Sequence, residues 1–231
     1  MPYAASAGAE DVNTPVIRWK GFEQVNINTV GNPDEVTDEL WNSYYTSISA
    51  CNTLIKIIGE NTKLSPDELS PIGGEAHFLR AFNYFQLVRW FGEEENQDNA
   101  AKEPQASVAR IYEQIVSDLK NAELTLPLSQ DDPSRPSRWA AKALLAKVYL
   151  TMAGFPLNET SCYALARDKA NEVISEKVYT LEKVYSQLWL WSNRKINSEF
   201  IFALYASSDN ATGSYIHQAV RPTDHGENGW A

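Results

Sequence analysis

The stretch GGEAHFLRAFNYFQLVRWFG, residues 73–92, decides the fold class of this chain. On a wheel of about 100° per residue, one side of it carries three phenylalanines and an arginine, and apolar residues also fill its flanks and back. A helix that is apolar all round is buried by its neighbours, and this one is too short and too often interrupted to span a membrane. We therefore predict the central helix of an all-helical body, closed by Gly92 in the usual C-terminal position. The residues that mark the stretch are Phe78, Arg80, Phe82, Phe85, Arg89 and Trp90.

Two arginines interrupt this apolar surface. An unpaired buried guanidinium is costly, so we expect at least one of Arg80 and Arg89 to contact a carboxylate or helix-end carbonyls. Phe82 shares its side with Phe78 and Phe85, and we expect it to be a core aromatic.

Composition allows one large domain or two small ones, because 43% of the 231 residues are hydrophobic. Such a chain needs no disulfides to stabilise its core. Cys51 and Cys162 lie far apart and match no metal or redox spacing. We expect both to be buried free thiols.

The charge balance excludes several partners. A net charge of −10 argues against nucleic acid, whose phosphates demand clustered Lys and Arg, and against binding to an anionic membrane surface. It permits a neutral partner such as a sugar. No signal-peptide pattern follows Met1, and no transmembrane segment is predicted.

Helical periodicity runs through the middle of the chain. We predict a first helix over residues 37–61 with Thr37 as its N-cap, and a second that begins near Ser65 or Ser70. A third helix starts after Ser107, a fourth ends at Gly154, and a fifth covers residues 161–177.

The remaining segments are irregular or short. Residues 186–193 have the composition of one helical turn, and residues 199–207 have strand-like composition. The sequence thus predicts an all-α fold with at most a little β. We divide it into an irregular N-terminal loop region at 1–36, a helical core at 37–205, and a loop or tail at 206–231.

The fourth and fifth helices form the clearest pair. Small residues recur where the two would pack, which resembles a tetratricopeptide-type helix pair. Unequal loops make the array an irregular superhelix. The residues are Ala143, Ala146, Ala164, Ala166 and Ala170.

No catalytic or cofactor motif is present. The chain lacks G-x-S-x-G, H-E-x-x-H, Walker A and G-x-G-x-x-G. His77, His217 and His225 are scattered, and we interpret His77 as a satisfied core or edge histidine. Glu10 and Asp11 stand side by side, as a glycosidase pair could, but chance explains their proximity better. We predict no catalytic residue, no metal site and no cofactor, and we expect the protein not to be an enzyme.

Three stretches together resemble a known family. GEAHFLRAFNYFQLVRWFGE resembles the hallmark helix of the SusD/RagB family of outer-membrane lipoproteins, whose usual form is G-E-A-R-F-L-R-A-F-Y-Y-F-x-L-V-x-x-F-G. LWNSYYTSISACNTLI resembles the preceding W-x-x-x-Y-x-x-I-x-x-x-N helix, and SRWAAKALLAKVYLTMAG resembles the later A-A-x-A-L-L-A-[RK]-V-Y-L helix. The first is quite specific, the others moderately so. Their order and approximate spacing agree, and the resemblance covers most of residues 37–205.

The resemblance implies tetratricopeptide-like helix pairs. It also implies a nutrient-binding role, usually for glycans, beside a SusC-like TonB-dependent transporter. The extracellular face of the outer membrane would be reached through a lipid anchor. Family members are normally more than twice this long and carry a signal peptide with a lipidated cysteine, so we expect a fragment of a longer protein.

A glycan-binding protein without catalysis is the leading hypothesis. Sugar capture needs flat aromatic faces and planar polar groups, and in the family such residues often come from loops just ahead of the hallmark helix. The alternatives are a helical-repeat scaffold that binds a protein, and an all-α glycosidase, for which no carboxylate pair stands out. If Trp19 and Phe22 only pin their loop to the body, the loop has no binding role. The candidate ligand-binding residues are Arg18, Trp19, Phe22, Asn26 and Asn28.

Overall fold

The computed structural model describes residues 35–61, 63–92, 106–132, 134–193 and 198–204. The chain divides into two compact units, and the described residues from position 44 onward belong to the unit Tyr44–Leu204. Residues 35–43 open the first helix and belong to the other unit.

Within the described residues the fold is all-α, as predicted, and contains no strand. Two short 3₁₀ turns follow the last α-helix, at Tyr185–Trp189 and Trp191–Asn193. None of the described helices is long and apolar enough to cross a bilayer. The helices are α1 (Glu35–Glu60), α2 (Pro66–Phe91), α3 (Val108–Thr125), α4 (Arg138–Ala153) and α5 (Cys162–Ser175).

Local sequence signals set the ends of α2. Ser65 is the N-cap, with its hydroxyl accepting from the Glu68 amide at 3.4 Å and its own amide donating to the Glu68 carboxylate at 2.9 Å. This reciprocal capping box satisfies two amides that a helix start leaves without partners. At the other end Gly92 has a φ of 62° and donates its amide to the Val88 carbonyl. Ser107 and Ser137 cap α3 and α4 in the same way as Ser65, through their hydroxyls.

Two predictions about boundaries are wrong. Helix α1 begins at Glu35, so Thr37 lies inside it; an N-cap preference of about 1 kcal/mol is too weak to fix a helix start alone. Residues 199–204 form no strand. Their apolar side chains pack on α2 instead, since the Phe202 ring lies 5.1 Å from that of Phe78 and 6.2 Å from that of Phe82.

Each helix from α2 to α5 packs against the next one along the chain, and α2 also meets α4. This arrangement is the succession of helix pairs that the sequence predicted. Each fully buried apolar side chain contributes about 1.5–3 kcal/mol through the hydrophobic effect. The largest buried apolar residues are Phe78, Phe85, Ile115, Leu119, Leu126, Leu145 and Val148.

Helix α2 is less completely buried than its apolar circumference predicts. Phe78 and Phe85 are 1% exposed, but Phe82 is only half-buried, and Trp90 is 42% exposed. Arg89 is exposed as well. The reason is that α2 is packed mainly by α3 and to a lesser extent by α4. A hydrophobic pattern shows which residues of a helix are apolar, but it does not show how many neighbouring helices are present to bury them.

Gly74 marks a close approach of α2 to the end of α3. A Cβ added at Gly74 would lie 2.6 Å from the Thr125 Oγ1 and 3.0 Å from the Leu126 Cγ. An alanine at this position would therefore force the Thr125 side chain to shift. The adjacent Glu75 accepts from Arg135 at 2.7 Å and so ties α2 to the connection between α3 and α4.

A charged network joins α3, α4 and α5. Lys142 of α4 lies 2.7 Å from Glu172 of α5, and Lys169 of α5 lies 2.8 Å from Glu123 of α3. The alanines predicted at the α4–α5 contact are partly covered as expected. Ala166 is buried and Ala143, Ala146 and Ala170 are half-buried, whereas Ala164 is exposed.

Candidate functional site

A groove of about 560 Å³ lies where the carboxyl ends of α2 and α4 meet the amino end of α3. Its volume is within the range of small-molecule sites. The α4–α5 loop forms its outer rim. The lining includes Arg89, Val108, Tyr112, Thr151, Phe155 and Leu157.

Phe155 projects from this rim with 88% of its surface exposed. The loop that carries it is held by hydrogen bonds on both sides of the ring. The Asn158 amide donates to the Gly154 carbonyl at 2.7 Å, and the Glu159 amide donates to the Met152 carbonyl at 3.0 Å. Leu157 packs against the hydrophobic core. The backbone is thus fixed while the aromatic ring faces solvent.

Arg89 and Tyr112 form the inner wall. The Arg89 guanidinium lies 5.2 Å from the centroid of the buried Phe85 ring, and Phe85 also meets Tyr112 edge-on at 6.3 Å. Within the described part of the chain Arg89 has no carboxylate partner. Burial raises the pKa of Tyr112, although the charge of Arg89 opposes this. The Tyr112 hydroxyl therefore stays protonated at neutral pH.

These groups suit the recognition of a polar, ring-shaped ligand. An exposed flat ring and a planar guanidinium stand at one concave surface. The Tyr112 side chain beneath them is 4% exposed, and the Thr151 hydroxyl donates to the Lys147 carbonyl at 2.9 Å. None of the lining residues that the structure describes is an acid.

A second polar cluster lies inside the helix pairs. Asp118 of α3 is 1% exposed and accepts from Arg80 through both oxygens, at 2.8 Å from Nε and 2.6 Å from the second nitrogen. His77 Nδ1 lies 2.8 Å from the same carboxylate. Arg80 also donates to Asn52 of α1 at 2.7 Å. The cluster, which we call the Asp118 node, therefore connects α1, α2 and α3.

The electrostatics of the Asp118 node follow from its contacts. Burial alone would raise the pKa of Asp118, but hydrogen bonds from His77 and Arg80, with the charge of Arg80, outweigh it and lower that pKa. The hydrogen bond to Asp118 raises the pKa of Arg80. Both groups are therefore ionised at neutral pH, and the expected carboxylate partner for an arginine of α2 is confirmed.

The node is structural. Its members are occupied by one another, and His77 is a satisfied edge histidine, as interpreted from the sequence. Cys51 and Cys162 are buried free thiols, as predicted. Burial raises the pKa of both thiols and disfavours the reactive thiolate. No group of His, Cys, Asp and Glu that could hold a metal occurs among the described residues.

The predicted ligand-binding loop lies outside the described residues. Arg18, Trp19, Phe22, Asn26 and Asn28 therefore remain a prediction from sequence. Sequence reasoning also overlooked Phe155, because the segment at 155–160 reads only as a short loop. Its signal is an aromatic residue placed between two helices and outside both apolar stripes.

The sequence matches the model of a known protein family. A SusD-like family model, described as "Starch-binding associating with outer membrane", matches residues 6–150. The chain belongs to the SusD-like family. A SusD-like protein of Bacteroides ovatus is 30% identical over 183 residues, which cover 74% of this chain and 33% of that protein.

Solved structures of SusD-like proteins share the fold. A SusD superfamily protein from Parabacteroides distasonis ATCC 8503 aligns with a TM-score of 0.72 and 33% identity over 81% of this chain and 41% of that one. A structure solved with a xylogluco-oligosaccharide aligns with a TM-score of 0.74 and 25% identity over 89% of this chain and 42% of that one. This SusD-like chain spans about a third of the length of the curated relative it matches.

Proposed function

We propose that this SusD-like chain belongs to a protein that captures glycans at the cell surface without cleaving them. The observation that carries the proposal is the family match, whose description is starch binding in association with the outer membrane. The structural relative solved with a xylogluco-oligosaccharide supports an oligosaccharide as the ligand class. The net charge of −10 accords with a neutral ligand.

The loop at residues 18–28 is the proposed first contact with the glycan. The ring of Trp19 offers a flat apolar face to the CH side of a pyranose. Arg18 and the amides of Asn26 and Asn28 can bond its hydroxyl groups. Trp19 belongs to no periodic apolar stripe, which favours an exposed ring.

The captured glycan would pass to a SusC-like TonB-dependent transporter. On this proposal the protein is held on the extracellular face of the outer membrane by a lipid anchor, and the helix pairs serve as its rigid body. A protein surface for the transporter and a glycan surface for the nutrient would then coexist on one molecule.

A glycan array, followed by affinity gels, tests the ligand class. We expect this chain to bind at least one oligosaccharide or polysaccharide, with no release of reducing sugar. Trp19→Ala should weaken that binding by about 1–3 kcal/mol, the scale of one buried aromatic contact. The melting temperature should stay unchanged, because few core contacts are lost.

The matched control is Leu181→Ala. Leu181 is an apolar side chain that is 81% exposed and lies outside the proposed loop, so its loss should leave affinity intact. A Trp19→Ala protein that melts earlier and binds normally would make Trp19 a structural pin. Steady release of reducing sugar from bound glycan would show that the protein hydrolyses the glycan, and it would contradict capture without cleavage.

A further inference from the structure

We propose that the groove between α2, α3 and the α4–α5 loop is a second glycan subsite, built by residues other than those at 18–28. It would hold one or two pyranose units of the same glycan chain. This inference rests on the proposed function and assigns a second binding position on the molecule to the same glycan.

The first argument is the Phe155 ring. It is 88% exposed although its loop is fixed by hydrogen bonds, so the exposure does not come from an unanchored segment. Phe78, Phe82 and Phe202, by contrast, contact one another. A buried aromatic ring covers 150–250 Å² or so, and the CH face of a pyranose can cover one side of it.

The second argument is the availability of Arg89. Its guanidinium is positioned by stacking on the Phe85 ring, a contact that uses none of its N–H donors. Guanidinium groups carry five donors in a planar fork, which matches two neighbouring hydroxyl oxygens of a sugar. None of the described residues that line the groove is an acid.

The third argument is size and polarity. The groove measures about 560 Å³, within the range of small-ligand sites. A protein partner would bury roughly 800 Å² on each side, whereas the groups that this groove exposes are one ring and one guanidinium. Tyr112 is 4% exposed, and the Thr151 hydroxyl already donates to the Lys147 carbonyl at 2.9 Å. A short glycan segment is therefore the occupant that the groove favours.

The test is isothermal titration of the full chain with xylogluco-oligosaccharide, or with the glycan that binds most strongly on the array. We expect Phe155→Ala and Arg89→Gln each to lower the affinity for the glycan about tenfold. Phe155→Trp, which keeps an aromatic ring at this position, should bind with wild-type affinity. Circular dichroism should show unchanged melting, since both side chains are exposed. In the Trp19→Ala background, Phe155→Ala should weaken the residual binding by a similar factor.

Arg167→Gln and Leu181→Ala are the matched controls, because both side chains are exposed and lie outside the groove. Wild-type affinity in Phe155→Ala and Arg89→Gln would overturn the subsite and leave the proposed function standing. Equal losses in the controls would overturn it too, since the effect would then not be local. A wild-type chain that binds no glycan on the array would overturn both proposals.

Discussion

Removing the carboxylate of the Asp118 node should destabilise the fold more than any exposed charge removal. Asp118→Ala leaves the Arg80 guanidinium, whose side chain is only 15% exposed, without its bidentate partner. It also removes the acceptor for His77. Breaking a buried pair by deleting one member costs about 3–5 kcal/mol, because the remaining charge is uncompensated. We expect Asp118→Ala to lower the free energy of unfolding by an amount in that range.

The assay is urea unfolding followed by far-UV circular dichroism. The matched control is Asp168→Ala, whose carboxylate is 58% exposed and pairs with the neighbouring Arg167 at 2.7 Å. An exposed pair contributes about 0–1 kcal/mol, so the control should unfold near the wild-type midpoint. The urea midpoint of Asp118→Asn should lie between those of Asp118→Ala and Asp168→Ala, because asparagine keeps the shape of the side chain and one acceptor oxygen.

The pH dependence supplies an independent measurement. The pKa of Asp118 is lower in the folded state than its ordinary value, which is about 3.9 in an unfolded chain. Its stabilisation is therefore complete above about pH 4 and is lost as the pH falls through the lower folded pKa. The difference in unfolding free energy between wild type and Asp118→Asn should shrink across that acid range and stay constant from pH 5 to 7.

One result would refute this reasoning. If Asp118→Ala and Asp168→Ala unfold at the same urea concentration at pH 7, the node does not hold α2 against α3. If the difference in unfolding free energy between wild type and Asp118→Asn instead grows as the pH falls, the pKa of Asp118 is not lowered in the folded state.

Two further pairs of variants test the packing by the same urea assay. Gly74→Ala should destabilise the fold by about 1–3 kcal/mol, because its Cβ would meet Thr125 at 2.6 Å. Gly59→Ala, at the last residue but one of α1 and with nothing within 4 Å, should leave the free energy of unfolding nearly unchanged. Equal effects of the two substitutions would contradict the close approach. Phe78→Ala should cost about 3–5 kcal/mol and the half-buried Phe82→Ala clearly less; the reverse order would mean that Phe82 is the better packed ring.

The sequence predicts the end of α2 at Gly92 and its start near Ser65 or Ser70, because the causes of helix ends are local. Ser65 and Glu68 cap the start through contacts three residues apart, and Gly92 ends the helix with a φ of 62°. Both signals are legible in a few consecutive letters. The fold class followed in the same way from helical periodicity.

The partner of Arg80 could not be named from sequence. The need for a carboxylate follows from helix burial, but Asp118 lies 38 residues away on α3. Which of many acids faces Arg80 depends on the relative rotation of α2 and α3. That rotation depends on close packing between the helices, such as the approach of Gly74 to Thr125 and Leu126, and the periodicity of one helix does not contain it.

The groove was missed for a similar reason. Phe155, Arg89 and Tyr112 belong to a loop and two different helices, and only the packing of α2, α3 and α4 brings them to one concave surface. The search along the sequence for loop aromatics selected Trp19 and overlooked Phe155. It cannot tell which of them stands beside a positioned arginine.

The contacts of residues 73–92 explain the physical role of the stretch that resembles the family's hallmark helix. Its polar and small positions make the specific tertiary connections: Gly74 allows the approach to α3, Glu75 holds Arg135, and Arg80 joins Asp118 to Asn52. Asn52 is the last residue of the W-x-x-x-Y-x-x-I-x-x-x-N pattern on α1, so two of the three motifs meet at one hydrogen bond. These three residues of the stretch are occupied in holding helices together, whereas Arg89, at its carboxyl end, lines the groove. The motifs therefore identify the fold, and differences in ligand between SusD-like proteins must arise from the loops and grooves that this framework positions.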